Sequence, residues 1–191
     1  MTHISIVGTG DMGQAIASVV STSGNTVELL GTSDSDKTAT GDIIILAVPY
    51  RAVGDVLAQR ADSFAGKIVV DITNPLNFET FDSLMVAADG SAAAEIAAAL
   101  PQSRVVKAFN TTFASTLMSG AVGALTTTVL LAGDDTDAKS QLTDMITSGG
   151  LHVIDVGTLK RARELESLAF LQITLAARDK LSWTGGFGVV P

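Results

Sequence analysis

The stretch ISIVGTGDMG, residues 4–13, decides the fold. It begins with a mostly apolar run typical of a short buried strand, and Gly8, Gly10 and Gly13 follow at once. The next segment, 12–22, carries apolar residues at helical spacing. A glycine-rich turn between a strand and a helix predicts a phosphate-binding loop, because the helix N-terminus offers free N–H groups and a partial positive charge.

Each glycine of this loop has a separate expected role. Gly8 permits the tight turn, Gly10 lets the backbone approach a pyrophosphate, and Gly13 lets the helix pack closely on the strand. Thr9, Asp11 and Met12 complete the predicted dinucleotide-binding loop. The alternative interpretation is a strand–helix turn that binds no ligand.

Strands and helices alternate along the rest of the chain. Predicted strands cover 4–7, 26–30, 43–48, 68–71, 105–109, 127–132 and 151–156, and predicted helices cover 12–22, 52–64, 92–100, 138–147 and 159–181. This order predicts an α/β fold, a Rossmann-like, doubly wound and mostly parallel sheet with helices on both faces. We expect one domain over 1–191, with a long C-terminal helix and a glycine-rich tail in 159–191.

Three further polar turns follow predicted strands. They are AVPY (47–50), DITNP (71–75) and KAFNTT (107–112), and the ends of parallel strands meet at the edge where ligands bind. Asn74 and Asn110 each offer a hydrogen-bond donor and an acceptor, which is enough to bind a carboxamide. We therefore expect a pocket beside the glycine loop.

Composition excludes several classes of function. The 191 residues include no cysteine and only two histidines, so disulfides, thiol catalysis and a histidine-rich metal site are excluded and no metal is expected. The net charge of −8 disfavours nucleic-acid binding. No apolar run approaches the roughly 20 residues of a membrane span, and no signal peptide precedes the first strand, so we expect a cytoplasmic protein.

The identity of the dinucleotide stays open between NADP and NAD. The second strand ends without the carboxylate that usually binds the ribose of NAD, and Thr32 and Ser33 follow instead, which favours NADP. Lys37 or Arg51 is the candidate cation for a 2′-phosphate. Glu28 lies about two residues early and is expected to be a surface or sheet-face carboxylate.

Taken in order, GTGDMG, AVPY, DITNP, AFNT, AGDD (132–135), GGLHVIDVG (149–157) and RARELESL (161–168) resemble the NADP oxidoreductases that depend on coenzyme F420, a 5-deazaflavin. The resemblance covers almost the whole chain and extends to the cytosolic domains of membrane metalloreductases. It implies hydride transfer between NADP(H) and a deazaflavin or flavin as small-molecule redox acceptor. It also implies a homodimer.

The resemblance assigns residues to both ligands. The cofactor would contact the glycine loop, Thr32, Ser33 and Lys37, and its nicotinamide end would contact Ala47, Val48, Pro49, Asn74, Pro75, Ala108 and Asn110. The acceptor would contact Phe109, Trp183, Thr184, Gly185 and Gly186. Two roles remain open for Trp183, either filling the core or forming a wall for a planar acceptor.

Two departures from the family pattern matter. Ser33 stands where an arginine is usual, and only 12 residues (31–42) join the second strand to the third, where the family spends about twenty more. Twelve extended residues reach roughly 40 Å, while the return along a strand and across two strand positions needs about 27 Å. We therefore predict a sheet trimmed beyond the second strand, with a more exposed adenine site and weaker cofactor binding.

The catalytic residue is unknown, since a deazaflavin or flavin accepts hydride without a protein acid. Tyr50 is the weak candidate acid for an alternative function, the NADPH-dependent reduction of a small carbonyl or imine. A non-catalytic dinucleotide sensor is the third hypothesis.

Other residues are expected to have structural roles. Asp71 is expected to cap the turn that follows it, and His3 and His152 are expected to be structural. The broad apolar stripe of 165–175 predicts a dimer contact, with packing inside its own domain as the alternative.

Overall fold

Strands rich in isoleucine and valine form the centre of the molecule, because helices cover both faces of the sheet. In the third strand, Ile43 and Ile45 pack into one core cluster, while Ile44 and Leu46 pack into the other. The fold is that of a computed structural model, which describes residues 1–22 and 24–190. Ser23 and Pro191, the last residue of the predicted tail, lie outside the described residues.

The described strands and helices follow the predicted alternation. The strands are β1 (His3–Val7), β2 (Thr26–Leu30), β3 (Ile43–Leu46), β4 (Ile68–Asp71), β5 (Arg104–Lys107), β6 (Ala121–Val122), β7 (Leu125–Thr126), β8 (Thr128–Gly133) and β9 (His152–Asp155). The helices are α1 (Asp11–Ser21), α2 (Val53–Phe64), α3 (Ala92–Ala99), α4 (Ala114–Ser119), α5 (Thr136–Ser148) and α6 (Ala162–Ala177). Short 3-10 turns lie at Thr32–Asp34, Tyr50–Ala52 and Leu159–Arg161.

Within residues 1–22 and 24–190, seven strands form one sheet in the order β2-β1-β3-β4-β5-β8-β9. All neighbours are parallel except β5 and β8, which are antiparallel, and β6 and β7 form a separate hairpin. Helices α1, α4 and α5 cover one face, and α2, α3 and the start of α6 cover the other. The predicted doubly wound, mostly parallel Rossmann-like sheet is confirmed.

Several predicted boundaries were wrong. Predicted strands 43–48 and 105–109 are shorter because β3 ends at Leu46 and β5 at Lys107, and Phe109 turns the chain with a left-handed φ of 63°. The predicted helix 159–181 starts with a 3-10 turn and ends at Ala177. Helix α4 and the β6–β7 hairpin were missed, since both are short and their hydrophobic patterns are weak.

The connection from β2 to β3 crosses β1 and is held by side chains of the sheet. Glu28 accepts hydrogen bonds from the backbone N–H of Thr40 at 2.9 Å, from the Thr40 hydroxyl at 3.0 Å and from the Ser5 hydroxyl. The N–H of Gly41 donates to Ser5 Oγ at 2.7 Å. Edge strand β2 has no further strand beyond it in the described residues, so the predicted trimming is confirmed, as is the place of Glu28 on the sheet.

Two cations from neighbouring elements fix the same connection. Arg60 of α2 is buried, and its guanidinium donates to the backbone carbonyls of Asp34 and Lys37. Lys67, just before β4, donates to the carbonyl of Ala39 at 2.8 Å. Polar side chains of neighbouring elements therefore hold the short connection in place.

Helix α6 packs mainly on its own chain. Leu165, Ala169 and Ile173 are buried, and Leu171 is half exposed on the opposite side. The predicted apolar stripe is thus largely explained by packing within the chain, and the homodimer contact stays a prediction. No helix in the described part of the chain is both long and apolar enough to cross a membrane.

Replacing Arg60 with methionine tests how much the short connection depends on its buried guanidinium. We expect Arg60→Met to lower the free energy of unfolding by about 1–3 kcal/mol, because the carbonyls of Asp34 and Lys37 lose a charged donor. Urea denaturation measures the change. Arg51→Met is the control, since Arg51 is an exposed arginine nine residues earlier, in the 3-10 turn before α2. Equal stabilities for the two variants would contradict this account.

Candidate active site

The glycine loop leaves no room for side chains at its two ends. Gly8 has a φ of 121°, and a Cβ there would lie 2.0 Å from the carbonyl oxygen of Ala47. A Cβ at Gly13 would lie 2.2 Å from the carbonyl oxygen of Gly8. These contacts press α1 against β1 and β3, as the sequence predicts for the first and third glycines.

The middle glycine faces open space. A Cβ at Gly10 would meet no atom within 4 Å, so a ligand can approach the backbone there. Gly10 is the N-cap of α1, and no described side chain caps this helix; the first turn closes with the Gln14 N–H to the Gly10 carbonyl at 3.0 Å. The N–H groups before Gln14 therefore stay available at the positive end of the helix.

A cavity of about 630 Å³ opens beside this loop, at the carboxyl ends of β1, β3 and β4. It brings together the glycine loop, the AVPY turn and the DITNP turn, as predicted. The predicted site residues that line it are Gly10, Asp11, Met12, Ala47, Val48, Pro49, Tyr50 and Asn74. The loop after β4 adds apolar side chains that the sequence analysis missed, namely Leu76, Phe78 and Met85.

A second cavity of about 520 Å³ adjoins the first. Both are lined by Asp11, Met12, Ile72, Asn74 and Phe78, so the two cavities form one cleft. Phe113 and Trp183 contact each other with ring centroids 4.9 Å apart, and both line the second cavity. Met118 and Ile173 extend this apolar wall. Trp183 is therefore a half-exposed wall of the cleft, and the interpretation as a core plug is excluded.

The two asparagines of the predicted carboxamide site bind each other where the cavities meet. Asn74 Nδ2 donates to the Asn110 carbonyl at 3.0 Å, and Asn110 Nδ2 donates to Asn74 Oδ1 at 3.1 Å. Asn110 Nδ2 also donates to the Leu165 carbonyl of α6 at 3.1 Å. One donor and one acceptor site of the Asn74 amide remain free of these bonds.

A buried ion cluster supports this turn. Lys107 Nζ lies 2.8 Å from Asp71 Oδ2, 2.8 Å from Glu166 Oε1 and 2.6 Å from the Thr73 carbonyl, and all three charged groups are buried. Burial raises the pKa of Glu166, although Lys107 opposes this shift. Asp71 Oδ1 also accepts from the Thr73 N–H at 2.8 Å, which confirms the predicted cap. The cluster was not predicted from the sequence, since Asp71 and Glu166 lie 36 and 59 positions from Lys107.

Comparison with known proteins now assigns the chain to a family. The family model described as NADP oxidoreductase, coenzyme F420-dependent, matches residues 25–75. An F420-dependent NADP reductase from Methanocaldococcus jannaschii is 30% identical over 162 residues, which cover 83% of this chain and 72% of that protein. The chain belongs to the coenzyme F420-dependent NADP oxidoreductase family. It is an oxidoreductase, as predicted.

Two further similarities are to a metalloreductase and to a solved structure. The metalloreductase STEAP3 from Rattus norvegicus is 30% identical over 182 residues, which cover 86% of this chain and 36% of that protein. The crystal structure of a protein from Arthrobacter sp. FB24 covers 100% of both chains with a TM-score of 0.87 and 24% identity. The second similarity shows that the fold extends over the full chain length.

Tyr50 is poorly placed to act as an acid. Its side chain lines the first cavity, but its hydroxyl donates to the Glu95 carboxylate of α3. Burial and this hydrogen bond raise the pKa of Tyr50 to about 12. Such a hydroxyl gives up its proton less readily than an ordinary tyrosine, which weakens the carbonyl or imine reductase alternative.

Other predicted residues lie outside both cavities. Pro75 and Ala108 are buried next to cavity-lining asparagines, and Phe109 is fully buried in the core instead of facing an acceptor. Three tail residues also lie outside the cleft, namely Thr184, Gly185 and Gly186. Gly186 lies close to Gln172 of α6. The turn after β2 carries Thr32, Ser33 and Lys37. Arg51, the other candidate cation for a 2′-phosphate, lines the first cavity instead, so Lys37 is the candidate on this turn.

Proposed function

We propose that this chain transfers hydride between NADP(H) and a deazaflavin or flavin. The observation that carries the proposal is the pair of adjoining cavities that share Met12 and Asn74. One cavity lies against the glycine loop and the other is walled by aromatic side chains. Two flat rings bound on either side of this junction would face each other, as hydride transfer over about 3–3.5 Å requires.

The residues of the first cavity fit a nicotinamide dinucleotide. The open face of Gly10 and the uncapped start of α1 provide backbone N–H donors for a pyrophosphate. Val48 and Pro49 offer an apolar wall, and Asn74 keeps a donor and an acceptor for a carboxamide. When bound, the cofactor supplies the hydride itself.

The residues of the second cavity fit a planar acceptor. Phe113 and Trp183 present ring surfaces, and Met118 and Ile173 add apolar surface that carries no charge. The Trp183 backbone carbonyl accepts a 2.5 Å hydrogen bond from the Ser115 hydroxyl of α4, which holds the tail against the cleft. These side chains would position the acceptor ring and remove water from it, which suits a reaction that needs no proton donor from the protein.

The proposal is tested by mixing the purified chain with NADPH and following nicotinamide absorbance. Coenzyme F420, FMN, FAD and a cyclic imine are supplied separately. We expect oxidation with the tricyclic acceptors and none with the imine. Turnover with the imine alone would establish the carbonyl or imine reductase, and binding without any turnover would establish a sensor.

Gly10→Val tests the pyrophosphate site. A valine side chain would fill the space through which the ligand approaches, so we expect dinucleotide binding too weak to measure by titration calorimetry, with an unchanged melting temperature. Gly54→Val in α2 is the matched control, because a Cβ there also meets no atom within 4 Å and Gly54 lines neither cavity. Unchanged affinity in Gly10→Val would remove the loop from the site.

Trp183→Ala tests the acceptor wall. We expect the KM of the tricyclic acceptor to rise about tenfold, or ~1.4 kcal/mol, because a ring–ring contact is lost, while the KM of NADPH stays the same. Phe187→Ala is the control, since Phe187 is a tail aromatic of similar exposure that lies outside both cavities. An unchanged acceptor KM in Trp183→Ala would contradict this assignment.

A further inference from the structure

The side chain of Asp34 folds back to the end of β2. Its Oδ2 accepts a hydrogen bond from the Gly31 N–H at 2.9 Å, and its Oδ1 lies 2.7 Å from Lys37 Nζ. Gly31 directly follows the last residue of β2. The carboxylate of Asp34 thus lies at the end of β2, although Asp34 is four positions after Leu30. Because of this separation, no acid was predicted at the strand end from the sequence.

This carboxylate is adjacent to the glycine loop. A Cβ built on Gly31 would lie 3.6 Å from Thr9 Oγ1 and 3.7 Å from Asp34 Oδ2, so both side chains border the same small space. Thr9 stands between the two glycines of the proposed pyrophosphate site. In dinucleotide-binding folds, an acid at the end of the second strand accepts hydrogen bonds from the adenosine ribose.

The turn that carries Asp34 is fixed in place. The Asp34 N–H donates to the Gly31 carbonyl at 3.1 Å, and the Lys37 N–H donates to the Asp34 carbonyl at 2.9 Å. Arg60 binds the carbonyls of both Asp34 and Lys37, so its charge is directed at the backbone of the turn. Hydrogen bonds from Lys37 and from Gly31 lower the pKa of Asp34, which keeps its carboxylate charged at neutral pH.

We propose that Asp34 determines specificity at the 2′ position of the adenosine ribose, and that this chain accepts NAD(H) as well as NADP(H). The proposal rests on the dinucleotide site proposed above. The carboxylate accepts hydrogen bonds from the free ribose hydroxyls of NAD(H) and repels the 2′-phosphate of NADP(H). Lys37, whose side chain is 64% exposed, offsets this repulsion by pairing with either group.

The experiment compares the dissociation constants of NADH and NADPH by titration calorimetry. Asp34→Asn keeps an oxygen that can accept from Gly31 but removes the charge. We expect NADPH to bind roughly two- to fivefold more tightly and NADH more weakly, so that the NADH-to-NADPH ratio of dissociation constants rises about tenfold. Asp36→Asn makes the same charge change two residues away and is the control, with an expected ratio close to that of the original chain.

A second variant probes the opposite direction. Lys37→Met removes the cation and is expected to weaken NADPH binding more than NADH binding. An unchanged ratio in Asp34→Asn, or equal shifts in Asp34→Asn and Asp36→Asn, would overturn the role of Asp34 while leaving the dinucleotide site intact. If the original chain bound neither cofactor, the proposed function would fail and this inference with it.

Discussion

One buried ammonium group, Nζ of Lys107, joins the segments that shape the cleft. It binds Asp71 at the end of β4, the Thr73 carbonyl in the turn that follows, and Glu166 of α6. Glu166 in turn accepts from the N–H groups of Ala92 and Ala93 at the start of α3. Because a buried charge without partners is strongly unfavourable, these segments hold one arrangement relative to each other.

The ion cluster also holds the segments next to Asn74 and Asn110 in place. Lys107 fixes the residue just before Asn74, and Glu166 fixes α6 next to Leu165, whose carbonyl accepts from Asn110. The junction of the two cavities is therefore built on buried contacts, even though it is made of turns. Because the Asn74 amide is already held in place, little conformational entropy would be lost there when a ligand binds, which favours precise placement of a ring.

Local patterns in the sequence were enough to predict the sheet, the glycine loop and the three polar strand ends. Each of these features depends on residues that are close in sequence, such as the apolar run of β3 or the spacing of Gly8, Gly10 and Gly13. The buried ion cluster, which was missed, depends on distant contacts. Lys107 reads locally as the end of a strand, and only the fold brings Glu166 to it. The position of Trp183, for which the sequence left two alternatives, also depends on a distant contact, its packing against Phe113.

The short connection from β2 to β3 also depends on both local sequence and distant contacts. A chain of 12 residues has no length for a helix of its own, so its backbone polar groups must bind side chains of β1, β2 and α2. Glu28 and Arg60 serve this structural purpose and have their charged groups occupied. Asp34, Asp36 and Lys37 are the charged side chains left at the surface of the turn, and among them Asp34 pairs with Lys37 at 2.7 Å.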